Sequence, residues 1–181
     1  MKYTEKTLII IKPDGLQRGL VGEMLARFEK VGLKIVAAKM LNATEDQVEA
    51  HYTLDPDWRR VTGEKTIKSY TDKGEKHPHG DDPMTITAII LKKLRDYMTS
   101  GPVMPIVLEG PHAVATVRKL IGSTEPLSSG VGTIRGDFVI DSYPMSNAEE
   151  RSVRNLIHAS GSVAEAEKEI QHWFKPGEIL F

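Results

Sequence analysis

The run TLIII at residues 7–11 leads directly into KPDG at residues 12–15. Nearly all side chains in the run are β-branched, which is typical of a central strand covered on both faces of a sheet. The proline and glycine that follow predict a turn at the end of this strand. The turn leaves Lys12 at the edge of the sheet, where its charge can meet a ligand. The alternative is an ordinary loop lysine that faces solvent.

Apolar periodicity elsewhere in the chain predicts alternating helices and strands. Helices are predicted at 19–32, after the capping pattern at 44–47, and at 86–100, 112–121 and 162–174; strands are predicted at 33–41 and 103–108, as an extended segment at 133–138, and at 155–159. This order predicts an α+β fold, an antiparallel sheet with helices on one side in the ferredoxin-like split β-α-β arrangement. The helix after residue 44 carries His51 and Tyr52, either of which could line a cleft.

Two segments lack sustained apolar periodicity and are interpreted as insertions into a single domain spanning 1–181. The first, at about 54–84, is rich in Asp, Lys, Gly and His, and 66–70 is its most regular piece. The second lies at 141–150. His77 and His79 flank a proline near two aspartates, which would permit a metal site, but such a cluster is more typical of a solvated loop.

Composition limits the classes of function. The chain has 181 residues, 40% of them hydrophobic and 27% charged, as expected for one globular domain. A formal net charge of -1 excludes a strong global preference for nucleic acid or for an anionic membrane. The chain has no cysteine, which excludes disulfides and thiolate metal sites. No signal peptide or membrane span is evident, and we expect a cytoplasmic protein.

The segment NLIHASGSVAEAEKEI at 155–170 places a histidine between a strand and a helix. Ser162 and Glu165 form a capping-box pattern that opens the helix. A neutral imidazole is a nucleophile when one ring nitrogen is free and the other is held by a hydrogen bond, which Glu169 could supply to His158. The small residues 159–161 and the helix N-terminus leave room for a phosphate. The local pattern equally allows a core histidine followed by an ordinary capped helix.

Seven segments taken together resemble nucleoside diphosphate kinases. They are IKPDG at 11–15, QRGLVGE at 17–23, HY at 51–52, SGPV at 100–103, EG at 109–110, GTIRGDF at 132–138 and NLIHAS at 155–160. They follow the order of the family from end to end, interrupted only by the two insertions. The complete set is highly specific.

The resemblance implies a ping-pong exchange of γ-phosphates in which His158 is the nucleophile and Glu169 bonds its other nitrogen. It implies that triphosphate and sugar are bound by a further set of residues: Lys12, Arg118, Thr124, Arg135 and Asn155. Tyr52 and Ser160 are similar to residues near the transferred phosphate. Mg²⁺ would be held mainly by nucleotide phosphates rather than by protein ligands. The implied partners are nucleoside di- and triphosphates and further copies of the chain, with a hexamer favoured.

Three positions depart from the family pattern. Gly161 replaces the usual aspartate after Ser160, which predicts the loss of any help that carboxylate gives to metal hydration or helix capping. Ile90 replaces a phenylalanine that stacks on the base, and Val131 replaces a proline. We therefore expect Trp58, Tyr70 or the edge of the first insertion to cover the base. The alternative is that the insertion is a surface elaboration or a subunit contact.

These departures motivate one alternative, a catalytically weak, nucleotide-binding regulatory protein on the same fold. A separate alternative is a ferredoxin-like ligand-sensing module in which His158 is structural, although that function would leave Lys12, Arg118 and Arg135 without a shared purpose.

Overall fold

The computed structural model describes residues 3–72 and 74–180, and its centre is a four-stranded antiparallel sheet. The strands are β1 (Thr4–Ile11), β2 (Lys34–Ala38), β3 (Met104–Pro111) and β4 (Ile157–Ala159), in the order β2-β3-β1-β4. Because β3 separates β1 from β2, the first strand, helix and second strand form a split β-α-β unit. The predicted α+β, ferredoxin-like fold is confirmed.

Nine α-helices surround the sheet within the described residues. They are α1 (Pro13–Gln17), α2 (Val21–Lys30), α3 (Glu45–Tyr52), α4 (Trp58–Thr71), α5 (Pro83–Met98), α6 (Ala113–Ile121), α7 (Ile134–Phe138), α8 (Tyr143–Ala148) and α9 (Val163–Trp173). None of the helices in the described ranges is both long and apolar enough to cross a membrane.

Both faces of the sheet are covered, so the prediction of helices on one side is wrong. Side chains alternate along β1, and Ile9 and Ile11 pack with residues of α2 and α6. Leu8 and Ile10 point to the opposite face, where they pack with residues of α3, α5 and α9. Burial on both faces explains why β1 reads as a continuous apolar run.

The first insertion is more regular than its composition suggests. Instead of one short ordered piece at 66–70, it contains the 14-residue α4, which packs along α5. The two helices are in backbone contact at Gly63, because a Cβ there would lie 2.6 Å from Cα of Pro83. At the far end of α4, the hydroxyl of Tyr70 accepts a hydrogen bond from the amide of Asn147 at 3.2 Å. This bond joins α4 to α8.

Two predictions of local structure also need correction. The segment at 133–138 is not extended, because Thr133 caps α7 by accepting a hydrogen bond from the N–H of Gly136 at 3.1 Å. The turn expected at 13–15 is the start of α1, where proline at the first position suits a helix as well as a turn.

Candidate active site

His158 lies on the short edge strand β4, opposite Ile10 of β1. The strand begins two residues later than predicted because Leu156 has a left-handed backbone, with φ at 66°. The N–H of Ile157 donates to the carbonyl of Asn155 at 2.8 Å, which closes a tight turn around Leu156. A left-handed leucine is strained, and its place beside the histidine indicates a site that holds its backbone firmly.

One ring nitrogen of His158 is engaged, and the other has no hydrogen-bond partner among the described residues. Nε2 is 2.8 Å from Oε1 of Glu169, which lies on α9, while the side chain of His158 is 16% exposed. The hydroxyl of Ser160 donates to Oε2 of the same carboxylate at 2.6 Å and accepts from the N–H of Leu8 at 3.2 Å. Glu169 thus takes donors on both oxygens, and Nδ1 of His158 is the nitrogen available to attack.

A second histidine lies beside this pair. His51 of α3 is buried, and its ring centroid is 4.6 Å from that of His158 in an edge-on arrangement. Nδ1 of His51 accepts a hydrogen bond from the indole N–H of Trp173 at 3.1 Å. The sequence indicates only that His51, beside Tyr52 in the short helix, could line a cleft. It gives His51 no role in the reaction.

Lys12 and Asn155 form a buried polar pair at the end of β1. Nζ of Lys12 donates to Oδ1 of Asn155 at 2.7 Å, and the Asn155 amide donates to the carbonyl of Thr124 at 2.8 Å. The Lys12 ammonium also lies 5.1 Å from the centroid of the Tyr97 ring. The structure therefore brings Lys12, Asn155 and Thr124 together. For Thr124, it is the backbone carbonyl that makes the contact.

The two predicted arginines have different environments. Arg135 is 3% exposed, and its guanidinium donates to backbone carbonyls of Asn155 at 3.1 Å, Gly122 at 3.2 Å, Ser123 at 2.9 Å and Ile157 at 2.5 Å. These four bonds leave one of its five N–H donors for a ligand. Arg118 is exposed on α6 and has no hydrogen bond or ion pair to any residue of the described part of the chain.

The charges of the site favour a neutral nucleophile. Burial, and then the charges of Lys12, Arg135 and Arg118, lower the pKa of His158 to about 3. Burial and the nearby Arg135 lower the pKa of Lys12 to about 7. Burial raises the pKa of Glu169, while His51 and Ser160 oppose that rise. An uncharged imidazole surrounded by cationic groups is suited to meet a polyanionic ligand.

The family model for nucleoside diphosphate kinase matches residues 5–60 and 85–179 of this chain. The chain belongs to the nucleoside diphosphate kinase family. The resemblance seen in the motifs is thereby confirmed, and the chain is a phosphotransferase. The internal stretch outside the match, 61–84, lies within the predicted first insertion.

Relatives cover almost the whole chain. A nucleoside diphosphate kinase of Pyrobaculum aerophilum is 49% identical over 179 residues, which cover 97% of this chain and 98% of the relative. A crystal structure of an NDP kinase from the same organism has a TM-score of 0.92 and 47% identity, and it covers 98% of this chain and 100% of its own. A transition state mimic of the Borrelia burgdorferi enzyme, with bound vanadate and ADP, has a TM-score of 0.81 and 39% identity, covering 100% and 93%.

Tyr52 connects the histidine to the first insertion. Its ring centroid is 6.5 Å from that of His158 and 5.6 Å from that of Trp58, the first residue of α4. Burial, and then Glu169, raise the pKa of Tyr52, so its hydroxyl stays protonated. Ile90, at the usual aromatic position of nucleoside diphosphate kinases, is half-buried on α5. Trp58 is therefore closer to the nucleophile than Tyr70, whose ring packs on His77 at 4.7 Å.

The N-terminus of α9 is capped although Gly161 departs from the family pattern. Ser162 accepts the N–H of Glu165 at 3.1 Å, and Oε2 of Glu165 accepts the N–H of Gly161 at 2.9 Å. The cap is therefore formed without a side chain at Gly161, because Glu165 supplies a carboxylate to the first turn. Val131, which replaces the usual proline, is 97% exposed in the loop before α7.

Proposed function

We propose that this chain transfers the γ-phosphoryl group of a nucleoside triphosphate to a nucleoside diphosphate through a phosphohistidine at His158. Nucleoside diphosphate kinases act on nucleoside di- and triphosphates. Nδ1 of His158 attacks the γ-phosphorus, the bond from that phosphorus to the bridging oxygen breaks, and the diphosphate leaves with the electron pair. In the second half-reaction a terminal oxygen of another nucleoside diphosphate attacks the phosphohistidine, and Nδ1 recovers its electron pair.

A single observation carries this proposal: Nδ1 of His158 is free, while Nε2 is held by Glu169 at 2.8 Å. Phosphorylation of Nδ1 places positive charge on the imidazole, and the Glu169 carboxylate stabilises that charge through Nε2–H. Ser160 in turn orients Glu169 through its hydroxyl. These three residues act as nucleophile, orienting carboxylate and support for that carboxylate.

Cationic groups from separate elements support the phosphate side of the reaction. Phosphoryl transfer depends on positioning and charge neutralisation more than on acid–base groups. Lys12 and Arg118 together bind the phosphates of the nucleotide, and Arg135 contributes its charge and one N–H. Asn155 and Thr124 would bind the sugar and phosphates near Lys12. Tyr52 would line the site beside the transferred group.

Phosphoryl transfer in this family depends on a divalent metal ion, and we propose Mg²⁺ bound with the nucleotide as part of the substrate. The chain's residues fit this assignment, because Mg²⁺ prefers oxygen ligands and keeps phosphate and water around it. His51, His158 and Glu169 are the only cluster of three possible metal ligands in the described ranges, within 4.8 Å of one another. Two imidazoles make that cluster a poor magnesium site, and Nε2 of His158 and both oxygens of Glu169 are already engaged in the hydrogen bonds described above.

Three broader properties belong to the same proposal. Residues 1–181 form one domain that carries an insertion at about 54–84. The chain assembles as a symmetric homo-oligomer, with a hexamer favoured. It acts in the cytoplasm, without a membrane or specific nucleic acid as partner.

The proposal is tested by incubation with γ-labelled ATP, which should leave an acid-labile, base-stable label on the protein. GDP should then remove the label as GTP. His158→Gln should abolish both steps, whereas the matched control His79→Gln, in the first insertion, should retain them. Labelling and exchange that survive in His158→Gln contradict the proposal. A wild-type protein that binds ADP but is never labelled supports the alternative of a nucleotide-binding regulatory protein.

A further inference from the structure

His51 is a buried titratable residue to which the proposed reaction gives no role. It is 4% exposed, and it lies where α3 and α9 meet behind the nucleophile. Its ring contacts His158, Tyr52 and Trp173, with centroids 4.6, 4.9 and 5.7 Å away. A leucine or phenylalanine would fill such a place without the cost of burying polar nitrogens, so the imidazole itself needs an explanation.

The hydrogen bond from Trp173 decides which nitrogen of His51 carries the proton. An indole N–H can only donate, so Nδ1 of His51 must accept and a neutral ring is protonated on Nε2. Burial, and then the charge of His158, lower the pKa of His51, which agrees with a neutral ring. His51 therefore presents an N–H group on the side facing away from Trp173.

That N–H points toward the carboxylate that orients the nucleophile. Nε2 of His51 is 3.7 Å from Oε1 of Glu169, the oxygen that also faces Nε2 of His158. At this distance Nε2 has no hydrogen-bond partner among the residues the structure describes, although it is completely buried. A buried donor without a partner is costly, and the nearest acceptor is the buried Glu169 carboxylate. A small approach of the two groups would form a hydrogen bond while Glu169 stabilises the charge on His158.

We propose that His51 is a positioning residue for this reaction, whose Nε2–H keeps Glu169 ionised and aimed at Nε2 of His158. The inference rests on the proposed phosphohistidine mechanism. Glu169 must be a carboxylate to stabilise the charge that phosphorylation places on His158, yet it is buried, and burial favours its neutral form. When this N–H closes on Oε1 of Glu169, it adds a third donor to those of His158 and Ser160.

Other groups around Glu169 limit how its titration can be interpreted. His158 faces it from β4, Tyr52 lies beside His51 on α3, and Glu165 and His172 are on α9 itself. His172 is tied to the carbonyl of Gln47 at 2.8 Å, which joins α9 to α3 independently of His51. Substitution of His51 should therefore leave this second link between the helices intact.

Two substitutions separate the donor from the ring. His51→Phe keeps an aromatic ring but removes the N–H, and His51→Gln keeps an amide N–H that can reach the place of Nε2. The measurements are the single-turnover rate of phosphorylation by ATP at several pH values, the Kd for ATP, and the ³¹P NMR signal that distinguishes Nδ1 from Nε2 phosphohistidine.

We expect His51→Phe to slow phosphorylation about 10- to 100-fold, the usual effect of losing a hydrogen bond to a charged group, with Kd within about twofold. Because loss of the donor raises the pKa of Glu169, the fall in rate on acidification should begin at a higher pH. Some label should also appear on Nε2. His51→Gln should keep the wild-type pH profile and a single isomer.

Equal slowing of both variants with an unchanged pH profile would leave His51 as packing alone and overturn the inference, as would wild-type behaviour of His51→Phe. If His51→Phe does not fold, ¹⁵N NMR of the wild-type protein decides, because a proton on Nδ1 of His51 contradicts the geometry. Failure of the wild-type protein to form any phosphohistidine refutes the proposed function instead, so the two failures are distinguishable.

Discussion

Replacement of Arg135 by methionine should destabilise the protein, whereas the same replacement of Arg118 should not. The family resemblance assigns both arginines alike to the binding of the nucleotide. In the structure, the Arg135 guanidinium ties the turn at 155–157 to the loop at 122–123 through four backbone carbonyls. Arg118 makes no hydrogen bond to any described residue.

The size of the effect follows from which carbonyls can find water. Gly122 and Ser123 lie in a partly exposed loop and can be solvated again, but Asn155 and Ile157 are 2% and 0% exposed. The carbonyl of Asn155 keeps the N–H of Ile157 as a donor, so only the carbonyl of Ile157 is left without one, at a cost of about 1–3 kcal/mol. Methionine no longer has to bury a charge, which offsets part of the loss. We therefore expect a decrease of about 1–2 kcal/mol in the free energy of unfolding.

Urea denaturation at one fixed protein concentration measures this difference, provided that the slope m is the same for both variants and the wild type. Arg118→Met should unfold within about 0.5 kcal/mol of the wild type, as surface substitutions usually do, while losing phosphotransfer. If Arg135→Met is equally stable, its carbonyl bonds do not hold the turn beside His158, and our account of that turn is wrong.

Two further predictions concern the ligand. Because Lys12 has a pKa of about 7 in the free protein, nucleotide phosphates that raise this pKa should cause proton uptake on binding at pH 8. Calorimetry in two buffers of different ionisation enthalpy should detect it in the wild type but not in Lys12→Met, and equal heats in both buffers for the wild type would contradict a neutral Lys12. The same shift predicts that stability of the free protein rises from about pH 7 toward pH 10.5, because over that range the unfolded chain holds a proton that the folded one lacks. If Trp58 stacks on the base, Trp58→Ala should weaken ADP and GDP binding alike, by about 1–3 kcal/mol, while Tyr70→Phe leaves both unchanged; unchanged Kd values in Trp58→Ala would leave Ile90 as the base contact.

Features of the fold that depend on neighbouring residues could be predicted from the sequence. The apolar run of β1 and the cap at Ser162 are confirmed because each depends on neighbouring residues. The sequence predicts less regular structure than the 14-residue α4, because the polar faces of this helix carry little apolar periodicity. The segment at 133–138 has the composition of an extended segment, but Thr133 caps a short helix there.

Long-range contacts explain what the sequence could not provide about the site. His51 and Trp173 are separated by 122 positions, and no local pattern connects an indole donor to that imidazole. Arg135 looks like a free cation until its four carbonyl partners are known. The bond between Glu169 and His158 was foreseen because only 11 positions separate the two residues and the helix spacing directs one toward the other.

The backbone contact at Gly63 constrains how the first insertion can change during evolution. The family model matches this chain on both sides of residues 61–84 but not within them, which sets the stretch apart from the rest of the fold. Trimming the insertion by a single residue would rotate α4 by about 100° and move a side chain into the crossing with Pro83. Intermediate lengths are therefore disfavoured, and the segment is expected to be inherited or lost as one unit.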